Sequence, residues 1–195
     1  MAVSSFLKYP YLNGPATFDV MQAGSISQED ELVEVTDSFD QPLLLVPRSL
    51  ALRRRLSRRI VQVCLKDARG RIFLQKRSPS LHRQPGLWDI SVTDEVFAGE
   101  ATEGAALRAL QNALGIVVPR LRLLSALPYT DAYGARLNAS CYVAGPVRTH
   151  PQPDPTRVSD GMFVDEDELR GLMSQQPELL TFELVWAVRS GWLFH

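Results

Sequence analysis

Apolar residues recur along this chain at two spacings. Strand-like alternation runs through Leu32-Val33-Glu34-Val35 and Leu43-Leu44-Leu45-Val46, with a polar turn over 37–41 between them. A second pair, 60–65 and 72–75, is joined by Asp67-Ala68-Arg69-Gly70, whose turn chemistry predicts a hairpin. Further strands are expected within Leu87-Trp88-Asp89-Ile90-Ser91-Val92, at 121–127, at 137–143 and at 162–164. Helical spacing appears between Thr102 and Leu114, where Ala106, Leu107, Leu110 and Leu114 make one apolar stripe. Gly115 follows where a helix ends in the left-handed conformation that favours glycine. Pro47 opens a short basic helix over 48–56, and Asp165 with the acids after it opens another. One more helix is expected over 177–190, after the proline-rich loop 146–155.

Residues 1–28 fit neither spacing. They mix Phe6, Tyr9, Tyr11, Phe18 and Met21 with Pro, Gly and Ser, and form an arm ahead of a domain at 29–195. That much apolar surface argues for an arm lying on the domain or across a second copy, giving a homodimer. Strands and helices in this order, without regular alternation of the two, predict an α/β sandwich on a mixed sheet.

Composition narrows the partners. The 195 residues carry a formal net charge of −1, which argues against a nucleic-acid binder. Six arginines do crowd 48–59 (Arg48, Arg53, Arg54, Arg55, Arg58 and Arg59). They read as an anion site or, with more weight, as a solvated helix face. The two cysteines, Cys64 and Cys141, sit in apolar strand-like runs and suggest a reducing cytoplasm. No apolar run approaches a membrane span. His82, His150 and His195 are scattered, and neither a Ser-His-Asp arrangement nor a phosphate-binding glycine loop is visible.

The stretch from Trp88 to Ile116 carries the strongest motif. Glu100, Arg108, Gly115 and Ile116 stand at the spacing of the Nudix box: Gly, five residues, Glu, seven residues, Arg-Glu-aliphatic-x-Glu-Glu-x-Gly-aliphatic. The chain resembles that hydrolase family, which cleaves nucleoside diphosphates linked to other moieties. Phe73-Leu74-Gln75-Lys76-Arg77-Ser78-Pro79 and Pro85-Gly86-Leu87-Trp88-Asp89 look like the branch related to isopentenyl diphosphate isomerase. The resemblance implies a Nudix-type α/β/α sandwich. Isomerase activity is not expected, because the cysteine which that chemistry uses has no counterpart in Ile90-Ser91-Val92-Thr93.

Laid on this chain, the box departs from the family pattern where the family binds metal. Its opening Gly is Asp94, and its three helical glutamates are Ala109, Asn112 and Ala113. Those positions relate as i, i+3 and i+4 and are expected to share a face with Thr102 and Ala105. In the family that face aims carboxylates at Mg²⁺ against a diphosphate. Here it bears no negative charge. By the same resemblance Glu100, Arg108 and Gly115 are structural members of the box, with Glu100 and Arg108 paired.

Two functions follow. The favoured one is a catalytically impaired Nudix-fold protein that binds a phosphorylated small molecule or a partner chain, with no cofactor. The alternative is an active diphosphohydrolase using Mg²⁺ or Mn²⁺ at a relocated site. Its metal candidates are Asp94, Glu95 and Glu100, and its catalytic candidates Glu100 and Glu103. Lys76 and Arg77, at a strand end facing the family's cleft, are phosphate candidates under either. Tyr129, Asp131 and Tyr133 lie in a loop that borders the pocket in this fold, where a ring can stack on a base; two loop tyrosines are also ordinary. Asp160 alone supports little.

Overall fold

The computed structural model describes residues 31–194, so the expectation for the arm 1–28 lies outside them. Nine strands and four α-helices follow in chain order: β1 (Leu32–Thr36), β2 (Pro42–Pro47), α1 (Arg48–Arg54), β3 (Arg58–Asp67), β4 (Ile72–Arg77), β5 (Trp88–Asp89), β6 (Val92–Glu95), α2 (Thr102–Leu114), β7 (Arg122–Thr130), β8 (Arg136–Val147), β9 (Val158–Val164), α3 (Glu166–Gln175) and α4 (Phe182–Arg189). Among the described residues no helix is long and apolar enough to cross a membrane.

β3 is the axis. It runs parallel to β8 from Arg58 to Asp67 and antiparallel to β6 from Ile60 to Val63, and it meets β1 at Arg58. The hairpin expected between β3 and β4 is a hairpin only at its turn. After Lys66↔Ile72 the two strands part, and β4 pairs with β9 and β5 instead. The sheet is therefore mixed, and a cleft opens where β6 and β5 diverge. The local turn signal at 67–70 was legible; the partners farther along the strands were not, because they come from residues as distant as Val164 is from Ile72.

The pleat of β3 divides the core. Val61, Val63 and Leu65 turn to one face and pack with Ala105, Ala106, Ala109, Leu110 and Leu114 of α2. Ile60 and Cys64 turn to the other and pack with Leu169 of α3 and with Leu184 and Ala187 of α4. Period-two alternation thus places helices on both faces of the sheet, an α/β/α arrangement. Leu110 and Leu114 are fully buried, each stabilising the seat of α2 by about 1.5–3 kcal/mol. Gly115 ends the helix in the left-handed conformation at φ 64°.

The expected helix over 177–190 is broken. A single 3₁₀ turn covers Pro177–Leu179, and α4 starts afresh after Thr181. The cause is tertiary: the Thr181 amide donates to the Trp88 carbonyl at 2.8 Å, and its hydroxyl donates to Asp89 at 2.8 Å. That same hydroxyl oxygen accepts from the Leu184 amide and caps α4. α1 likewise ends sooner than expected, at Arg54, because Arg55 turns left-handed at φ 54°.

Burial also shapes two polar matters. Both cysteine thiols are pushed up to about 12 by burial, which keeps them protonated and inert. Gln62, on β3 between Ile60 and Cys64, is fully buried, and neither its amide nitrogen nor its carbonyl oxygen has a hydrogen-bond partner. A buried unpaired polar group costs about 1–3 kcal/mol. Gln62→Leu is therefore expected to stabilise the fold by about 1 kcal/mol. Urea unfolding checks this, and a lower midpoint for the variant would show that the amide is satisfied after all.

Candidate functional site

A cleft of about 210 Å³ lies between β6 on one wall and β4, β5 and the start of α4 on the other. Five arginines line it: Arg48, Arg58, Arg77, Arg83 and Arg157. So do five acids, Asp89, Asp94, Glu95, Asp131 and Glu183. The two sets differ in depth. The carboxyls of Asp89, Asp94, Glu95 and Asp131 keep 9% of their exposure or less, whereas Arg48, Arg83 and Arg157 keep 36% or more. Acids form the floor together with Arg58 and Arg77, and Arg48, Arg83 and Arg157 form the rim.

Each deep carboxylate is spent on a guanidinium. Glu95 on β6 takes both Arg58 at 2.9 Å and Arg48 at 2.5 Å. Asp94 meets Arg108 at 3.2 Å and Arg157 at 3.5 Å. Asp89 meets Arg77 at 3.1 Å, and Asp131 meets Arg83 at 2.8 Å. Around Glu95 there are two guanidiniums for one carboxylate, so the β6 wall carries surplus positive charge.

Glu183 is different. It receives one side-chain hydrogen bond, from the Gln84 amide at 2.6 Å, and no arginine pairs with it among the described residues. Burial, and then the negative charge of Asp89, push its carboxyl above the usual carboxylate range. Burial also raises Asp89, opposed by Arg77, by the Thr181 hydroxyl and by the Ile90 amide. With those donors Asp89 is the better placed of the two to carry the charge.

The box residues come together as a structural joint. Arg108 on α2 donates to both Glu100 oxygens at 2.9 Å, to Asp94, and to the Glu95 carbonyl at 2.8 Å, and lies 3.9 Å over the Phe97 ring. Glu100 also accepts from the Phe97 amide. Burial raises the Glu100 carboxyl, but the Arg108 and Phe97 hydrogen bonds and the Arg108 charge outweigh it, so the net shift is downward. Glu103 sits outside the cleft and accepts from the Leu121 amide at 3.0 Å. Among the described residues no group of three His, Cys, Asp or Glu is placed to hold a metal ion.

The helix face expected to hold 109, 112 and 113 is split. Ala105, Ala109 and Ala113 are buried, with Ala113 at the cleft, while Asn112 is exposed. At about 100° per residue, 112 lies about 60° to one side of 109 and 113 about 40° to the other. Only small residues meet the core there.

The strand pleat separates the phosphate candidates. Arg77 lines the cleft with Gln75, whereas Lys76 turns to the opposite face, its ammonium 5.6 Å over the Trp88 ring. The basic cluster divides three ways. Arg48 and Arg58 enter the cleft, Arg59 pairs with Glu34 and Asp40 elsewhere, and Arg53, Arg54 and Arg55 are exposed. The reading as a solvated face holds for the last three alone. Tyr129 and Asp131 line the cleft; Asp160 is exposed outside it. Arg83, Arg157, Asp89 and Glu183 were not singled out from the sequence. Asp89 lay within the Pro85-Gly86-Leu87-Trp88-Asp89 run without a role assigned to it, and no local pattern marks the other three, since each is defined by a partner on another element.

Two outcomes follow from these pairings. Removing Glu100 leaves the partly exposed Arg108 with Asp94 as its one paired carboxylate among the described residues, so Glu100→Ala is expected to cost about 1–2 kcal/mol in urea unfolding at pH 7, below the roughly 3–5 of a fully buried pair. Because the folded pKa of Glu100 is depressed, that difference is present above its ordinary 4.5 and fades as pH falls through the folded value. Glu183 has the opposite sign: its raised pKa contributes stability below 4.5 that is lost as pH rises through the folded value. Glu183→Gln is therefore expected to be more stable than the parent at pH 7 and equal to it at pH 4, and equality at both would mean that Glu183 ionises freely.

Comparison with known proteins fits this geometry. The NUDIX domain model matches residues 56–182. An uncharacterized Nudix hydrolase of Streptomyces coelicolor is 31% identical over 156 residues, covering 78% of this chain and 84% of that one. The isopentenyl-diphosphate Delta-isomerase of Rhodobacter capsulatus is 33% identical over 117 residues, 57% of this chain and 66% of its own. The crystal structure of DR0079 from Deinococcus radiodurans superposes with a TM-score of 0.67 at 22% identity, covering 82% of this chain and 98% of that one, a likeness of fold. With its mixed sheet, its box helix and the Glu100–Arg108 joint, the chain belongs to the Nudix family.

Proposed function

We propose that this chain is a catalytically impaired Nudix-fold protein that binds a phosphorylated ligand through arginines rather than through a divalent metal. The observation that carries this reading is the layering of the cleft, with buried carboxylates spent on guanidiniums of which Arg48, Arg83 and Arg157 stay exposed. A cleft that presents guanidinium groups favours a phosphate or diphosphate directly, through forked N–H donors.

Mg²⁺ or Mn²⁺ would need hard oxygen donors converging on one point. Ala109 and Ala113 offer none, Asn112 points to solvent, and Asp94, Glu95 and Glu100 are each held by an arginine. This donor set does not fit the ion. Within the cleft, Arg48 and Arg157 on the β6 side would hold the anion, and Glu95 and Asp94 would keep those arginines in position, with the buried Arg58 bracing Glu95 from below. Loss of a single charge-stabilising group typically lowers an enzyme's rate by roughly 10²–10³. Three absent box glutamates therefore argue against hydrolysis at ordinary rates.

Inorganic pyrophosphate is the direct probe. It is expected to raise the melting temperature in EDTA as much as in Mg²⁺. Arg157→Gln, which removes a rim guanidinium only loosely tied to Asp94, is expected to weaken pyrophosphate about tenfold by calorimetry, or ~1.4 kcal/mol. Stabilisation that appears only with Mg²⁺ or Mn²⁺, together with turnover of a nucleoside diphosphate derivative, would establish the relocated-metal enzyme instead.

A further inference from the structure

The end of the sheet away from the cleft carries a second trough. The cleft sits at the start of β3 and β8 and the end of β7, whereas a groove of about 840 Å³ lies at the end of β3 and β8 and the start of β7. Strand register sets its shape. Arg122 stands opposite Val143 across β7 and β8, and Val143 stands opposite Cys64 across β8 and β3, so these positions share one face of the sheet. Lys66 and Gly145 follow two residues farther along β3 and β8 and line the groove. Gly145 leaves the floor bare, and the position is closed to other residues: at φ 120° a Cβ would run into the Lys66 carbonyl oxygen.

Charge in this groove is one-sided, although the whole chain has a net charge of −1. Lys66, Arg120 and Arg122 line it, with Asp67 as the one acid among its lining residues. Asp67 is already engaged: it pairs with Arg71 at 2.8 Å and accepts from the Arg69 and Arg71 amides. Among the described residues neither Arg120 nor Arg122 pairs with an acid, and both are exposed. Arg69, within the turn that borders the groove, and Arg148, directly after β8, add exposed positive charge. The Leu121 amide donates to Glu103 at 3.0 Å, which ties the segment bearing both arginines to α2. Apolar surface lies among these cations, at Leu121, Pro146 and Leu123, the last 52% exposed.

Unpaired guanidiniums attract carboxylates, and an exposed leucine between them suits an apolar side chain. β7 adds a third feature. It pairs with β8 on one side and, among the described residues, with no strand on the other, so its start offers open backbone donors and acceptors to an extended chain. Among the described residues no aromatic ring lines the groove, so nucleic-acid bases would find no stacking surface.

We propose that this groove docks an acidic, extended peptide segment of a partner protein, in which carboxylates alternate with apolar side chains. The carboxylates pair with Arg120 and Arg122, and the apolar side chains cover Leu121 and Leu123. The site lies outside the cleft and does not depend on what the cleft binds.

The probe is a short dye-labelled peptide alternating glutamate and leucine, titrated with the full chain and followed by anisotropy. Binding is expected to weaken as salt is raised. It is expected to weaken about tenfold in the Arg120→Ser, Arg122→Ser double variant, with the melting temperature unchanged because both side chains are exposed and unpaired. Leu123→Ser is expected to weaken this peptide severalfold but not a companion alternating glutamate and serine, and it serves as the second test if the arginine variant does not fold. Arg157→Gln, at the cleft, and added pyrophosphate are expected to leave peptide binding as it is. No binding, equal affinity for the glutamate–serine companion, competition by pyrophosphate, or binding that survives the groove variants would overturn the proposal. So would tighter binding of a single-stranded oligonucleotide or of phosphatidylserine vesicles than of the peptide.

Discussion

A guanidinium with 2% of its surface exposed needs a counter-charge, and Arg58 has it in Glu95 at 2.9 Å. Much of the cleft depends on this pair. Arg58 opens β3, where β1, β3 and β8 meet, and Glu95 closes β6, so their bond ties the axis of the sheet to the wall of the site. The Arg58 guanidinium also donates to the Leu56 carbonyl, which fixes the exit from α1. Arg48, at the other end of α1, reaches the second Glu95 oxygen. The start of α1 and the start of β3 thus converge on a single buried carboxylate at the end of β6.

The same economy recurs on the opposite wall. Asp89 binds Arg77, the Thr181 hydroxyl and the Ile90 amide, linking β4, β5 and the cap of α4. Arg77 in turn donates to the Arg83 carbonyl, and Gln84 accepts from the Phe182 amide while donating to Glu183. The loop between β4 and β5 is held over the cleft by polar contacts at several points. Positioning comes from carboxylate–arginine pairs on both walls, a role different from coordination of a metal ion. The alanines on α2 agree with this, because a buried methyl at 109 and 113 packs against the sheet without demanding a counter-ion.

Such a site suits binding that is ready before the ligand arrives. Guanidiniums pinned by buried carboxylates have already lost their side-chain freedom, so less remains to be lost on association. Pairing also moderates their charge, which favours a ligand that matches the spacing of the arginines over any passing polyanion. The near-neutral net charge of the whole chain points the same way.

The sequence by itself determined the elements and the family. Alternating and helical periodicities placed β1, β2, α2 and β8 to within a few residues, because burial of one face repeats locally along the chain, and the acids after Asp165 marked the start of α3. The spacing of Glu100, Arg108 and Gly115 was legible for the same reason: it lies within one loop and one helix. That Ala109, Asn112 and Ala113 stand where the box pattern has glutamates was also legible. Tertiary structure alone decided what each charge does. The pleat sent Arg77 into the cleft and Lys76 away from it, and the six arginines near α1 fell to three fates according to which acid lay opposite. Thr181 broke a helix that propensity would have continued, since β5 offered it two better partners. Arg83 and Tyr133 meet only because two distant loops share Asp131. A side chain's role in a cleft is set by its neighbours in space, and one-dimensional spacing carries no record of them.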